Sequence, residues 1–242
     1  MIYVTGDLHG YIGRVVRFCE HQGTARDDVL VVLGDAGINY WRDESDEDLK
    51  RVIADLPITM LCIHGNHEVR PQNIPSYEEL SWRGGTVYRE PRYPNILFAG
   101  DGSIFDLGGR RTLVIGGAYS VDKPWRLRDG RLWFADEQPD ERIKADVEAA
   151  LDRVGWEVDD VMTHTAPYSV RPLDAFISTI DQSTVDTSTE EWLDRIAADL
   201  TFERWWSGHF HIDSYRPPFG FLFRQVHDHA TGELVYHERD LT

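Results

Sequence analysis

Apolar residues come in three short blocks in the first quarter of the chain: IYVT (2–5), DVLVVL (28–33) and ITMLCI (58–63). Each has the length and continuity of a buried strand. Between the first two, Ile12, Val15, Val16 and Cys19 recur at helical spacing. Ser45 followed by Asp48 makes a capping-box pattern, so a helix is expected over about 46–56. Strand, helix, strand, helix, strand at this spacing predicts βαβ units and a parallel sheet. In such sheets functional loops gather at the carboxyl ends of the strands.

The pattern changes after residue 82. GGTVYRE, NILFA, SIFDL and RTLVIGG are short apolar runs separated by turn residues, which predicts antiparallel hairpins. Residues 140–154 place Ile143, Val147, Ala150, Leu151 and Val154 on one side of an amphipathic helix. DDVMTH then reads as a strand with a histidine at its end. Ser188 with Glu191 is expected to cap a helix through about 200. ERWWSGHFH reads as a strand running into a loop, and FGFLFRQVHDH and ELVYHE as closing strands. No repeat or linker interrupts the chain, so residues 1–242 read as a single α/β domain.

Composition narrows the function classes. With 25 basic and 42 acidic residues the net charge is −17. Long nucleic acid and anionic membrane are therefore poor partners, because both draw affinity from a basic surface. Cys19 and Cys62 sit among apolar residues and read as reduced thiols. No signal peptide is read at the N-terminus, and no apolar run approaches the ~18 residues of a membrane span. A cytoplasmic location is expected.

Candidate chemistry sits at the strand ends. Asp7 and His9 follow the first strand, Asp35 the second, and Asn66 and His67 the third. His164 ends a later strand, and His209 and His211 lie in the SGHFH turn. Glycines accompany most of them, allowing sharp turns and close approach. Carboxylate and imidazole together suit first-row divalent ions. These ligands are too many for one ion but fit two, and a two-metal clamp suits displacement at phosphorus. No one of these stretches is diagnostic alone; the ordered set is.

GDLHG, GD, GNHE, TH and GHFH, in this order from residue 6 to 211, resemble the motifs of the calcineurin-like metallophosphoesterases. The resemblance implies a sandwich of two mixed β-sheets flanked by α-helices. It implies that Asp7, His9 and His211 hold one metal, that Asn66, His164 and His209 hold a second, and that Asp35 bridges them. A metal-bridging hydroxide would attack phosphorus, with His67 assisting the leaving group. Manganese is the expected ion, with iron, zinc or nickel as alternatives. His64 is read as a structural or supporting residue, and Glu68 either as a loop contact or as part of the site.

The chain departs from the protein-phosphatase branch of that family. GDAGINYW stands where that branch has GDxxDRG, so Ile38 replaces the aspartate that orients the histidine, and the following arginine is absent. His64 replaces the arginine before GNHE. Arginine is the residue suited to bidentate phosphate contact, so its loss favours a phosphodiester or nucleotide substrate over a phosphoprotein. The alternatives are a protein phosphatase or phosphomonoesterase, and a non-catalytic platform on the same fold. Replacement phosphate contacts are expected from Arg42, Arg70, Tyr119, Lys123 and Arg126, with Ser120, Tyr168 and Arg171 also near by position. Asn39 is the candidate for orienting His67. Trp41 could stack on a nucleobase or pack at the rim. The oligomeric state is open.

Overall fold

The computed structural model describes residues 1–238; the last four positions of the expected 1–242 domain lie outside them. Among the described residues the strands form two sheets. One has the order β14 (Leu234–His237), β13 (Gln225–Asp228), β1 (Ile2–Thr5), β2 (Val29–Val32), β3 (Thr59–Cys62), β6 (Ile96–Ala99), β5 (Gly85–Arg89) and β4 (Glu78–Trp82). The other runs β11 (Ser214–Arg216), β12 (Phe219–Phe221), β10 (Arg204–Ser207), β9 (Asp160–Thr163), β8 (Arg111–Ile115) and β7 (Ile104–Asp106). Each has a parallel centre, β1-β2-β3-β6 in one and β8-β9-β10-β12 in the other. Antiparallel strands flank both centres.

The apolar blocks are continuous because both faces of each strand are covered. In β2, Val29 and Val31 point to the layer between the sheets, where they meet Val114, Met162 and Trp206 of the second sheet. Leu30 and Val32 point outward, onto Phe18 of α1 (Gly13–Gln22) and Ile53 of α2 (Glu44–Asp55). The outer face of the second sheet is covered by α4 (Glu141–Arg153) and α5 (Ser188–Asp199), through Val147, Leu151, Trp192 and Ile196. Three of the tryptophans, Trp192, Trp205 and Trp206, are fully buried in this packing. A short helix, α3 (Lys123–Arg128), lies in the segment between β8 and α4.

Several expectations need correction. The helix expected from residue 46 begins at Glu44, and Asp43 rather than Ser45 is its cap, accepting the Ser45 N–H at 2.9 Å. Ser188 is the first residue inside α5 and not its cap; Thr187 precedes it and bonds Glu191 Oε1 at 2.7 Å. A short acceptor at either of two adjacent positions can serve a helix start, so sequence alone misplaces such caps by one or two residues. The run after residue 82 is antiparallel only in part. β5 pairs antiparallel with β6, and β7 with β8, but β6 and β8 run parallel to β3 and β9. β4 is an additional edge strand.

Candidate metal centre

The carboxyl ends of β1, β2 and β3 in one sheet and of β9 and β10 in the other meet at one end of the sandwich. The structure brings all seven expected ligands together there. His9 Nε2 lies 2.9 Å from His211 Nε2, and Asp7 Oδ2 lies 3.3 Å from the latter and 3.6 Å from the former. Asn66 Oδ1 lies 2.8 Å from His164 Nε2 and 3.1 Å from His209 Nδ1. Asp35 stands between the two groups, with Oδ2 3.8 Å from His164 Nε2 and 3.9 Å from His9 Nδ1.

The local backbone is bent hard to achieve this. His9, Asp35, His209 and His211 all have positive φ, at 47°, 48°, 64° and 53°. Such conformations are uncommon outside glycine and gather at functional sites. Neighbouring glycines make room. A Cβ on Gly34 would lie 2.1 Å from His164 Nδ1, and one on Gly65 would lie 2.0 Å from Asp35 Oδ1. Arg14 fixes the first turn from below, donating to the carbonyls of Asp7 at 2.6 Å and Gly6 at 3.2 Å.

The donor set fits cations. His164 Nδ1 lies 2.7 Å from the Leu33 carbonyl, so that nitrogen carries the proton and Nε2 presents a lone pair. This lone pair faces Asn66 Oδ1, itself an acceptor, at 2.8 Å. Two acceptors so close repel one another unless a cation or a proton joins them. Asp7 Oδ2 is buried without hydrogen-bond geometry to any group. Burial opposes ionisation of Asp7, yet His211, His164 and His9 hold its carboxyl well below the usual range. Burial pushes His209 down to about 3, whereas the Asp7 contact raises His211. An anionic carboxylate beside a neutral buried imidazole is the state in which both ligate metal.

His67 stands at the edge of this cluster. Its backbone N–H donates to Asp35 Oδ1 at 2.9 Å, and its ring Nε2 lies 3.2 Å from Asn66 Nδ2. Burial lowers the proton affinity of its ring; Asp35 opposes this and Arg126 reinforces it. Asn39 does not orient this ring: its Oδ1 accepts the Tyr77 hydroxyl at 3.0 Å. Ile38 is packed in the core. Glu68 is a loop contact, accepting the Gly65 N–H at 2.6 Å. His64 is fully buried, and burial pushes its ring well below the ordinary range.

The expected phosphate contacts divide. Arg126 is fixed near His67 by Asp122 at 2.8 Å, the Tyr40 hydroxyl at 3.0 Å and the Leu132 carbonyl at 3.1 Å. Lys123 Nζ sits 4.2 Å from the Trp133 ring centre and 5.4 Å from that of Tyr119. Ser120 accepts Asn66 Nδ2 at 2.9 Å. Arg70 is instead buried, its guanidinium paired with Asp101 and bonded to the Asp136 carbonyl at 2.9 Å. Arg42 is exposed and held by its backbone N–H on Asp46 at 2.8 Å. Arg171 lies over Tyr168 at 3.6 Å, and Trp41 is exposed with its ring edge against Tyr40.

Four residues at the site carried no sequence signal that singled them out. Asp122 and Glu137 sit in polar stretches that read as surface. Arg14 falls within a helical pattern. Phe223, whose ring stacks on His211 with centroids 4.6 Å apart, lies in a strand-like run.

Residues 1–213 match the model of the calcineurin-like phosphoesterase family. No curated protein matches the chain by sequence. Among solved structures it is similar to TT1561 of Thermus thermophilus, with a TM-score of 0.54 at 11% identity, covering 97% of this chain and 96% of that one. A second solved structure gives a TM-score of 0.55 at 13% identity over the same shares. These likenesses concern the fold, a pair of mixed sheets between helices. The sequence match spans every strand end that carries a candidate ligand: the chain belongs to the calcineurin-like phosphoesterase family.

Proposed function

We propose that the protein is a dinuclear-metal phosphoesterase acting on a small phosphodiester or nucleotide-type substrate in the cytoplasm. The family supports metal-dependent phosphoester hydrolysis in general. The observation that supports the two-metal reading is a pair of adjoining ligand clusters, Asp7, His9 and His211 beside Asp7, Asp35 and His164, each with its ligand atoms within 4.8 Å of one another. Asp7, His9 and His211 would hold one ion, Asn66, His164 and His209 the other, with Asp35 shared. Two bound divalent ions would neutralise the phosphate oxygens and make water nucleophilic near neutral pH. Manganese suits this mixed oxygen and nitrogen set, as do iron, zinc and nickel.

The chain's own groups do the rest. His67 is partly open at the edge of the cluster and is the group placed to protonate the leaving oxygen. Arg126 lies near it, held by Asp122 and the Tyr40 hydroxyl, and Lys123 sits on the same segment over the Trp133 ring; both would supply positive charge for the substrate phosphate. Both come from the segment after β8, not from the positions that serve protein phosphatases. This replacement favours a small ester over a phosphoprotein. The free, buried thiols Cys19 and Cys62 suit a reducing compartment. Among the described residues no helix is long and apolar enough to cross a membrane.

The test is hydrolysis of an aryl phosphodiester beside an aryl phosphomonoester, using protein stripped of metal and reloaded with manganese. Diester cleavage that needs metal and is lost in His67→Ala is the expected result. Monoester cleavage alone would replace this reading with a phosphomonoesterase.

A further inference from the structure

Asp7 is buried and cannot turn away from the first cation position, but the side chain of His211 is 48% exposed. A half-exposed imidazole can rotate into solvent, and every rotated state competes with ligation. A group that holds the ring in place beforehand removes that cost.

Phe223 is such a group. Its ring lies against that of His211 with centroids 4.6 Å apart and planes 16° from parallel. Rotation of the imidazole would give up this stacked contact. The contact is with the flat face of the ring, so the edge nitrogen Nε2 still points to Asp7 Oδ2 at 3.3 Å and His9 Nε2 at 2.9 Å.

Phe223 is itself held from several sides. It lies in residues 222–224, the connector that crosses from β12 of the second sheet to β13 of the first. Asp213, two residues after His211, accepts the N–H groups of Phe223, Arg224 and Gln225 on one carboxylate oxygen, at 2.8, 3.1 and 3.0 Å. Successive amides converging on one anionic oxygen fix the backbone that carries them. Arg14 donates to the Phe223 carbonyl as well as to the carbonyls of Gly6 and Asp7. The Leu222 N–H donates to the Ser207 carbonyl at 2.9 Å. A Cβ on Gly6 would overlap the Leu222 carbonyl, so the connector passes directly over the first strand end. It is thereby registered against both the turn that carries Asp7 and the turn that carries His211.

We infer that Phe223 is a positioning residue for His211, held in place by Asp213 and Arg14, and that the connector between β12 and β13 thereby sets the affinity of the first cation position. This inference rests on the two-metal reading above.

The experiment is titration of the full-length metal-free protein with cobalt(II), followed by visible absorption. Wild type, His211→Ala, Phe223→Leu, Phe223→Tyr and Asp213→Ala are compared. His211→Ala identifies the equivalent in question by its loss. Groups that support a metal ligand contribute about 10–100-fold in affinity. Leucine keeps the apolar bulk but has no flat face, so Phe223→Leu is expected to weaken that same cobalt equivalent by about 10-fold and leave the other unchanged. Tyrosine keeps the face, so Phe223→Tyr is expected to bind both equivalents as wild type does. A packing role alone would not separate the two cobalt equivalents.

Two unaltered equivalents in Phe223→Leu, equal weakening of both, or the same loss in Phe223→Tyr would overturn the role of Phe223 and leave the two-metal reading standing. Wild-type protein that takes up no cobalt would overturn both. Should Phe223→Leu fail to fold, Asp213→Ala is read in the same titration. The same selective loss is expected there, and its absence would overturn the inference.

Discussion

Asp35 gives one carboxylate oxygen to the backbone N–H of His67 at 2.9 Å and leaves the other facing His164 and His9 at 3.8 and 3.9 Å. One side chain thus ties the third-strand loop in place and stands between the two ligand groups. Asp35→Asn keeps the size but removes the charge and turns donors toward one of these tasks. Metal content measured by elemental analysis is expected to fall from two ions per chain to one or none. Retention of two would take Asp35 out of the shared position.

His67 contacts Asp35 through its backbone, so its ring can be removed without dismantling the loop. His67→Ala is expected to lower kcat by about 10²–10⁴-fold. Metal content should stay as in wild type. Loss of metal along with activity would mean that the ring supports the ligands instead of meeting the substrate.

Arg126 and Lys123 test the substrate side. Alanine at either position is expected to raise KM more than it lowers kcat, since each would act through binding in both ground and transition states. Unchanged kinetics in both variants would remove this segment from substrate recognition.

Gly34→Ala tests how tightly the second strand end is built. The new Cβ would lie 2.1 Å from His164 Nδ1, at a φ of +96°. Strain of roughly 1–3 kcal/mol is expected from the backbone alone. The variant should melt at a lower temperature and bind metal more weakly, because the Leu33–His164 contact that fixes the tautomer must open.

A pH dependence follows from the opposite end of the sandwich. His229 is fully buried, its Nε2 3.2 Å from Thr112 Oγ1, and burial lowers its ring from 6.5 to about 4 despite the nearby Asp160. The unfolded chain therefore binds this proton first as pH falls. The stabilisation is present above 6.5 and is lost as pH falls toward 4. Between pH 7 and 5 this group contributes a loss of roughly 2 kcal/mol. Urea unfolding at the two pH values should show a smaller loss in His229→Gln than in wild type. Equal losses would exclude His229 as the source.

The candidate ligand set was readable because all seven residues lie just beyond the ends of five apolar blocks, and a strand mouth is where a parallel sheet exposes polar groups. Asp7, Asp35 and His164 could be placed relative to one another by that rule alone. Arg70 could not be placed: its proximity to Asn66 in sequence suggested the site, but Asp101, distant in sequence, draws the guanidinium into a buried pair. Glu137 was invisible for the converse reason. It lies among surface-like polar residues, and only the return of its segment alongside Ala118 and Ser120 brings it near the site. β4 was missed because its apolar alternation is only Leu80 and Trp82, beside the polar Glu78, Glu79 and Ser81, as suits a strand at a sheet edge.

The two sheets are joined by polar groups at both ends and by apolar contact between. At one end Asp7, His9, Asp35 and Asn66 of the first sheet meet His164, His209 and His211 of the second. At the other, Arg204 at the start of β10 bonds Asp160 at 3.1 Å and the carbonyl of His229, which follows β13, at 2.8 Å. A laminate bolted at both edges resists shear. Any slip of one sheet along the other would have to break the Arg204 bolt as well as part the ligands. The spacing of the candidate ligands is therefore gauged by the thickness of the apolar layer, in which Val31, Met162 and Trp206 act as shims.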